Sequence, residues 1–124
     1  MFFKKRIAWY KIFESVEVAK KQIPLNKAET IRVGNKKICI ANTGQGLFAV
    51  SDRCPHQGGS LGQGYCTDDG TIVCPLHRYN FDLKTGRAKS GIGDFVYTYP
   101  LEIREDGLFI GIEERDWTLR LRSG

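Results

Sequence analysis

Four residues in this chain form two pairs whose types and spacing suit them to binding a metal. One residue separates Cys54 from His56, two separate Cys74 from His77, and a proline follows each of these cysteines. Thiolate sulfur and imidazole nitrogen are ligands both of zinc and of the iron in iron–sulfur centres. Because the chain has only two histidines and both lie in these pairs, the four residues are the candidate metal ligands.

The other two cysteines, Cys39 and Cys66, match neither pair. Cys39 stands between Ile38 and Ile40 in an alternating run, which predicts a small buried side chain in a strand. An even number of cysteines in a short chain indicates disulfides mainly in secreted proteins. A Cys39–Cys66 disulfide therefore remains an alternative to two buried thiols.

Short runs of β-branched and aromatic residues, separated by Gly, Asn and Asp, predict about eight to ten strands. Asp106-Gly107 predicts a hairpin turn between strands at Val96–Arg104 and Leu108–Ile112. Gly34-Asn35 predicts a second hairpin, and Ser15–Gln22 is the one short helix, with Ser15 as its N-cap. The predicted fold is all-β, an antiparallel sandwich or small barrel.

Residues 53–70, which connect the two Cys/His pairs, contain five glycines and few aliphatic residues. This composition predicts a loop that is held in place by something other than a hydrophobic core.

The positive charge of the chain is unevenly distributed. Residues 1–37 contain ten Lys or Arg and three Glu, whereas residues 38–111 contain six basic and eight acidic residues. The basic residues form no helical stripe and no aromatic residues are interleaved with them, so we do not expect binding of nucleic acid. The basic region is either a solvated face or a docking surface that steers an acidic redox partner.

No stretch approaches the roughly 20 apolar residues of a membrane helix, so we expect no association with a membrane. The basic cluster at residues 4–6 is not followed by the apolar run of a signal peptide, because Lys11 and Glu14 interrupt it. We therefore expect a cytoplasmic protein of one domain.

The two pairs and their flanking residues resemble the Rieske domain, in the branch of soluble ferredoxins found with ring-hydroxylating oxygenases. The matching motifs are C-P-H-Q-G-G from Cys54 and C-P-L-H-x-Y-x-F-D-x-x-T-G from Cys74, and the resemblance extends from Trp9 to about Ile112. It implies a single Rieske domain over residues 1–113, with a small cluster-binding subdomain at about 51–83. Residues 114–124 are then a C-terminal tail.

The resemblance implies one [2Fe–2S] cluster per chain, with Cys54 and Cys74 on one iron and His56 and His77 on the other. It also implies a carrier of single electrons from a flavin-dependent reductase to a terminal oxygenase or similar acceptor, rather than a catalyst on its own. Among the possible oligomeric states, we favour a monomer. One alternative is a small or accessory subunit of a reductase such as nitrite reductase. The other is a structural zinc module with the same four ligands.

The chain departs from the Rieske proteins of respiratory complexes, in which each ligand loop has a further cysteine and the two form a disulfide. Gly59 and Leu76 occupy those positions here, so this disulfide cannot form. Tyr79 stands where those proteins have a serine that donates a hydrogen bond to a cluster sulfide. Fewer such hydrogen bonds predict a low Rieske potential, on the order of −150 to 0 mV.

Overall fold

The computed structural model describes residues 5–55, 58–76, 78–89 and 93–115. It contains ten strands and one α-helix, which confirms the predicted all-β class. The elements are β1 (Lys5–Phe13), α1 (Val16–Gln22), β2 (Lys27–Val33), β3 (Lys36–Thr43), β4 (Gly46–Ser51), a 3₁₀ turn (Leu61–Gln63), β5 (Tyr65–Cys66), β6 (Thr71–Val73), β7 (Asn80–Asp82), β8 (Thr98–Tyr99), β9 (Leu101–Arg104) and β10 (Gly107–Arg115).

The strands form two antiparallel sheets. The small sheet has the order β1-β10-β9, and the large sheet has the order β7-β6-β5-β2-β3-β4-β8. The β2–β3 hairpin turns at Gly34-Asn35, and the β9–β10 hairpin turns at Glu105-Asp106 before Gly107, so both predicted hairpins are present. Residues 114 and 115 complete β10, and residues 116–124 of the predicted tail lie outside the described residues.

The predicted strand over Val96–Arg104 is wrong as a single element, because Pro100 divides it. Residues before Pro100 form β8, which pairs with β4 in the large sheet, and residues after it form β9, which pairs with β10 in the small sheet. Proline has no N–H for a strand ladder. Its carbonyl oxygen accepts a 2.9 Å hydrogen bond from the Gly111 N–H, at the point where the chain crosses from one sheet to the other.

Strand β3 separates two hydrophobic cores because its side chains alternate between its faces. Ile38 and Ile40 are buried in a core shared with the small sheet and α1. Cys39 and Ala41 are buried in a second core, which also contains Cys54 and Cys74. The candidate metal ligands that the structure describes are therefore part of a packed core of the protein.

The helix α1 begins as predicted. The Ser15 hydroxyl accepts a 3.0 Å hydrogen bond from the Val18 N–H, which satisfies one of the free donors of the first turn. Ala19 and Ile23 anchor the helix in the core shared with the small sheet. Among the described residues, no helix is long and apolar enough to cross a membrane.

The segment 53–70 is more ordered than the prediction of a loop without a core. Leu61 in the 3₁₀ turn is fully buried in the core that contains Cys54. β5 pairs with both β2 and β6. Leu61 and the two residues of β5 therefore attach part of this segment to the neighbouring strands.

Cys39 and Cys66 are buried free thiols, so the alternative of a disulfide between them is not what the structure contains. The Cys66 thiol donates a 3.7 Å hydrogen bond to the Lys27 carbonyl oxygen. Burial raises the pKa of Cys66 to about 11. Burial also raises the pKa of Cys39 well above its ordinary value, and the negative charge of Asp52 adds to this effect.

These two thiols predict that the protein loses stability in alkaline solution. The thiol of a cysteine in the unfolded chain has a pKa of about 8.5. As the pH rises from there toward 11, the unfolded chain releases this proton while the native chain keeps it. The stabilisation is complete below the unfolded pKa and is lost as the pH rises through the native one. We expect the free energy of unfolding, measured with urea under reducing conditions, to fall by up to about 1.4 kcal/mol per pH unit for each thiol.

The variant Cys66→Ala isolates this effect from the titration of other groups. Its free energy of unfolding is expected to fall less steeply between pH 9 and 11 than that of the parent protein. Parallel pH profiles for the two proteins would show that Cys66 titrates at its ordinary pKa.

Candidate metal centre

Two loops bring Cys54 and Cys74 together. Cys54 follows the end of β4 by three residues, and Cys74 directly follows β6. Both side chains are fully buried in the same core, and burial together with the neighbouring Cys54 thiol raises the pKa of the Cys74 thiol. The other two predicted ligands, His56 and His77, lie outside the described residues.

Each cysteine stands at the start of a short loop that is closed by backbone hydrogen bonds. In the first loop, the Cys54 N–H donates to the Gly59 carbonyl oxygen, and the Gly58 N–H donates back to the Cys54 carbonyl oxygen, both at 2.8 Å. In the second loop, the Cys74 N–H donates to the Tyr79 carbonyl oxygen at 2.6 Å. His56 and His77 therefore belong to segments whose two ends are fixed.

The two loops touch at Gly59. A Cβ atom added at this position would lie 3.2 Å from the Cys74 Sγ, 2.9 Å from the Leu76 Cδ1 and 3.1 Å from the Leu76 Cγ. The structure thus places Gly59 beside Leu76. These are the two positions that correspond to the disulfide-forming cysteines of respiratory Rieske proteins. Here the loops meet by a glycine backbone packed on a leucine side chain.

The environment of the Cys74 sulfur combines burial with a backbone donor. Burial raises the pKa of the Cys74 thiol, and the neighbouring Cys54 thiol raises it further, whereas the Leu76 N–H lowers it by donating a hydrogen bond toward the sulfur. A buried pair of thiols favours the neutral form unless a cation binds between them. An N–H directed at a ligand sulfur is the kind of contact that tunes an iron–sulfur centre.

The first ligand loop is attached to the large sheet by the carboxylate of Asp52. Asp52 is buried, with 4% of its surface exposed. Its Oδ1 accepts hydrogen bonds from the Thr30 hydroxyl and the Gly62 N–H, and its Oδ2 accepts one from the Ser60 hydroxyl, all at 2.8 Å. These contacts join β2, the residues just before Cys54 and the start of the 3₁₀ turn.

A glycine is required where this network is closest to the sheet. A Cβ atom at Gly62 would lie 2.0 Å from the Thr30 hydroxyl oxygen and 2.6 Å from the Thr30 backbone nitrogen, which is a severe clash. Only a glycine therefore allows the backbone to come this close to β2.

The second ligand loop leads into β7, which contains Phe81 and Asp82. Phe81 is fully buried in the core that contains both candidate cysteines. Burial alone would raise the pKa of Asp82, but the backbone N–H groups of Thr85 and Lys84 hold it below its usual value. Tyr79 packs against the same core.

Sequence reasoning missed Asp52, Thr30 and Ser60. Thr30 is 22 positions from Asp52 and 30 from Ser60, and Asp52 is 8 positions from Ser60. No local spacing in the sequence therefore connects them. The one signal available was an acidic residue directly after an apolar strand and two residues before a candidate ligand.

The described donor atoms fit an iron–sulfur centre. Two free thiols that are buried in one core, one of them approached by a backbone N–H, can bind one iron once deprotonated. Within the described ranges, no group of three or more His, Cys, Asp or Glu side chains is arranged to hold a metal ion. The two predicted histidine ligands, His56 and His77, lie outside those ranges.

Replacing Asp52 with alanine tests whether its carboxylate positions the first loop. The change leaves two hydroxyls and one N–H without their acceptor, and hydrogen bonds to a charged group contribute ~1.5–3 kcal/mol each before relaxation and replacement by water. We expect Asp52→Ala to lower the free energy of unfolding by about 3 kcal/mol and to accelerate release of iron to a chelator.

The matched control is Asp68→Ala, which removes an exposed carboxylate whose one hydrogen bond, from Asn26, is 3.4 Å long. It is expected to change stability by less than about 0.5 kcal/mol. Equal effects of the two variants would contradict the positioning role of Asp52.

Comparisons with known proteins agree with this site. The model of the Rieske [2Fe-2S] domain family matches residues 8–93. The ferredoxin subunit of 3-phenylpropionate/cinnamic acid dioxygenase from Escherichia coli strain K12 is 37% identical over 90 residues, which cover 71% of this chain and 85% of that protein.

Two solved structures have the same fold. The ferredoxin of carbazole 1,9a-dioxygenase from Nocardioides aromaticivorans IC177 superimposes with a TM-score of 0.70 at 19% identity, over 83% of this chain and 96% of that one. A chain described as an NADH-dependent nitrite reductase small subunit from Mycobacterium tuberculosis superimposes with a TM-score of 0.73 at 15% identity. The match covers 86% of this chain and 96% of that one. With two thiols buried in one core and a family match across both ligand loops, the chain belongs to the Rieske [2Fe-2S] domain family, and its cofactor is a [2Fe–2S] cluster.

Proposed function

We propose that this protein carries single electrons, with Cys54 and Cys74 bound to one iron of the cluster and His56 and His77 bound to the other. The observation that carries the proposal is the burial of both thiols in one core, where two closed loops meet at Gly59. Each loop has a histidine two or three residues after its cysteine. The cluster-binding subdomain is proposed to comprise residues 51–83, within a domain of residues 1–113.

The bound cluster supplies one-electron chemistry, and the chain sets its potential. Neutral imidazoles in place of two anionic thiolates make reduction easier than in all-cysteine ferredoxins. The Leu76 N–H directed at Cys74 raises the potential, whereas Tyr79 packs in the core at the position of the serine donor of respiratory proteins. We expect a potential on the order of −150 to 0 mV, in the low part of the Rieske range.

The proposed partners are a flavin-dependent reductase as donor and a terminal oxygenase as acceptor. This assignment is supported by the E. coli relative, a dioxygenase ferredoxin subunit of which this chain covers 85%. We propose that the protein works in the cytoplasm, where the free thiols of Cys39 and Cys66 stay reduced.

A second candidate role is that of the small subunit of a nitrite reductase. The structural likeness to the M. tuberculosis small subunit favours it at the level of the fold. A carrier is expected to be monomeric and redox-active by itself, whereas a subunit is expected to remain with its large partner during purification.

The cluster and its mixed ligands are tested on anaerobically purified protein. We expect a red-brown protein with about two iron and two acid-labile sulfide per chain, whose dithionite-reduced form has the low average EPR g value of mixed Cys/His ligation. The assays are visible absorption, EPR, and iron, zinc and sulfide analysis of one sample. A colourless protein with one zinc per chain would overturn the proposal.

Replacing His77 with cysteine tests the assignment of this residue as a ligand. A third thiolate adds negative charge, so the potential of His77→Cys is expected to fall toward the ~−400 mV of all-cysteine clusters. Protein-film voltammetry measures the shift. The control is Cys66→Ser, a buried cysteine outside both pairs, which is expected to keep the parent potential and iron content. An unchanged potential in His77→Cys would remove His77 from the ligand set.

A further inference from the structure

We propose that the positively charged surface beside the first ligand loop is a docking site for the acidic face of a protein redox partner. The inference rests on the proposed carrier function and adds the charge of the partner and the side of the cluster on which it binds. We call this surface the basic patch and define it by Arg32, Lys37 and Arg53.

The basic patch borders the loop that begins with Cys54. Lys37 and Arg53 line one open depression together with the backbone of Gly58 and Gly59. The Arg53 guanidinium packs over the loop, with its Nη2 3.5 Å from the position of a Cβ at Gly58. Because Gly59 in turn contacts Cys74 and Leu76, the patch lies beside the place where both ligand loops meet.

Arg32 joins the patch through the register of the sheet. It lies directly opposite Lys37 in the β2–β3 ladder, so the two side chains share one face. Thr30, two residues earlier on that same face, reaches Asp52 and Ser60. The face that carries Arg32 and Lys37 is therefore turned toward the first ligand loop.

The charge of the patch is not neutralised by the residues around it. Arg32 and Lys37 are like charges that lie directly opposite each other, an arrangement that is unfavourable in a sheet. Arg53 adds a third positive charge to the patch. Within the described part of the chain, none of the three forms an ion pair with a carboxylate. Asp52 lines the same depression, but it is buried and already accepts three hydrogen bonds. The patch therefore keeps a net positive charge that attracts carboxylates.

An apolar side chain stands beside the cations. Leu76 is 47% exposed and contacts Gly59. An apolar contact next to charged groups is the composition of a protein interface, in which a desolvated centre is surrounded by a polar rim. Three cations are fewer than the six to ten phosphate contacts of typical nucleic-acid binders. The observations thus favour an acidic protein as the occupant.

The test compares the rates at which oxidants of opposite charge oxidise the reduced holoprotein. Stopped-flow oxidation by anionic ferricyanide and by cationic hexaamminecobalt(III) is compared at low and high ionic strength. At low ionic strength, Lys37→Glu is expected to slow ferricyanide by about three- to tenfold and to accelerate hexaamminecobalt(III). Both effects should largely disappear at ~0.5 M salt. Lys37→Gln should give smaller changes of the same sign.

The matched control is Lys20→Glu, the same charge reversal on the exposed side of helix α1, which packs on the other core. It is expected to change either rate by less than about 1.5-fold. An octa-glutamate peptide, as a probe for an acidic protein face, should slow ferricyanide oxidation of the parent but not of Lys37→Glu. Unchanged EPR spectra show that each variant keeps its cluster.

Two results would overturn the inference. Equal effects of Lys37→Glu and Lys20→Glu would show that only net charge matters, and the carrier function would stand without this docking site. Stronger inhibition by a single-stranded oligonucleotide than by a peptide of equal charge would assign the patch to nucleic acid. A purified protein without an iron–sulfur cluster would overturn both this inference and the proposed function.

Discussion

The geometry of the site depends on the hydrogen bonds that the buried carboxylate of Asp52 accepts. Its three hydrogen bonds connect β2, the residues before Cys54 and the 3₁₀ turn. Its own carbonyl oxygen also accepts the Leu61 N–H at 2.7 Å, so backbone and side chain hold the same turn. A glycine-rich loop has little side-chain packing to fix it, and here a polar network anchored in the sheet takes that role.

The sheet that anchors this network divides the protein into two cores with different tasks. Alternate residues of β3 contribute to each, so one strand couples them. The core shared with α1 and the small sheet is made of aliphatic and aromatic side chains. The other core contains four cysteines, two of which are the candidate iron ligands. Cluster binding and folding are expected to be linked in this second core, because the sulfurs of the two candidate ligands are part of its packing.

The parts that sequence could predict are those determined by neighbours along the chain. The spacing of Cys54, His56, Cys74 and His77 predicted two ligand loops, the Asp106-Gly107 turn predicted a hairpin, and Ser15 predicted a helix start. Pro100 was visible in the sequence, and its missing N–H was a signal that one strand could not continue through it. The Asp52 network and the two-residue strand β5 depend on partners distant in the chain, which no local pattern reveals.

The contact between Gly59 and Leu76 has a consequence for how the holoprotein is made. A site closed by a disulfide requires an oxidant during its maturation, and the bond then stays in place whether or not the cluster is present. Here a glycine backbone packs on a leucine side chain, a contact that forms and separates without any change of oxidation state. Assembly of this site therefore requires no thiol oxidation, and a cluster bound by Cys54 and Cys74 would supply the covalent connection between the two loops.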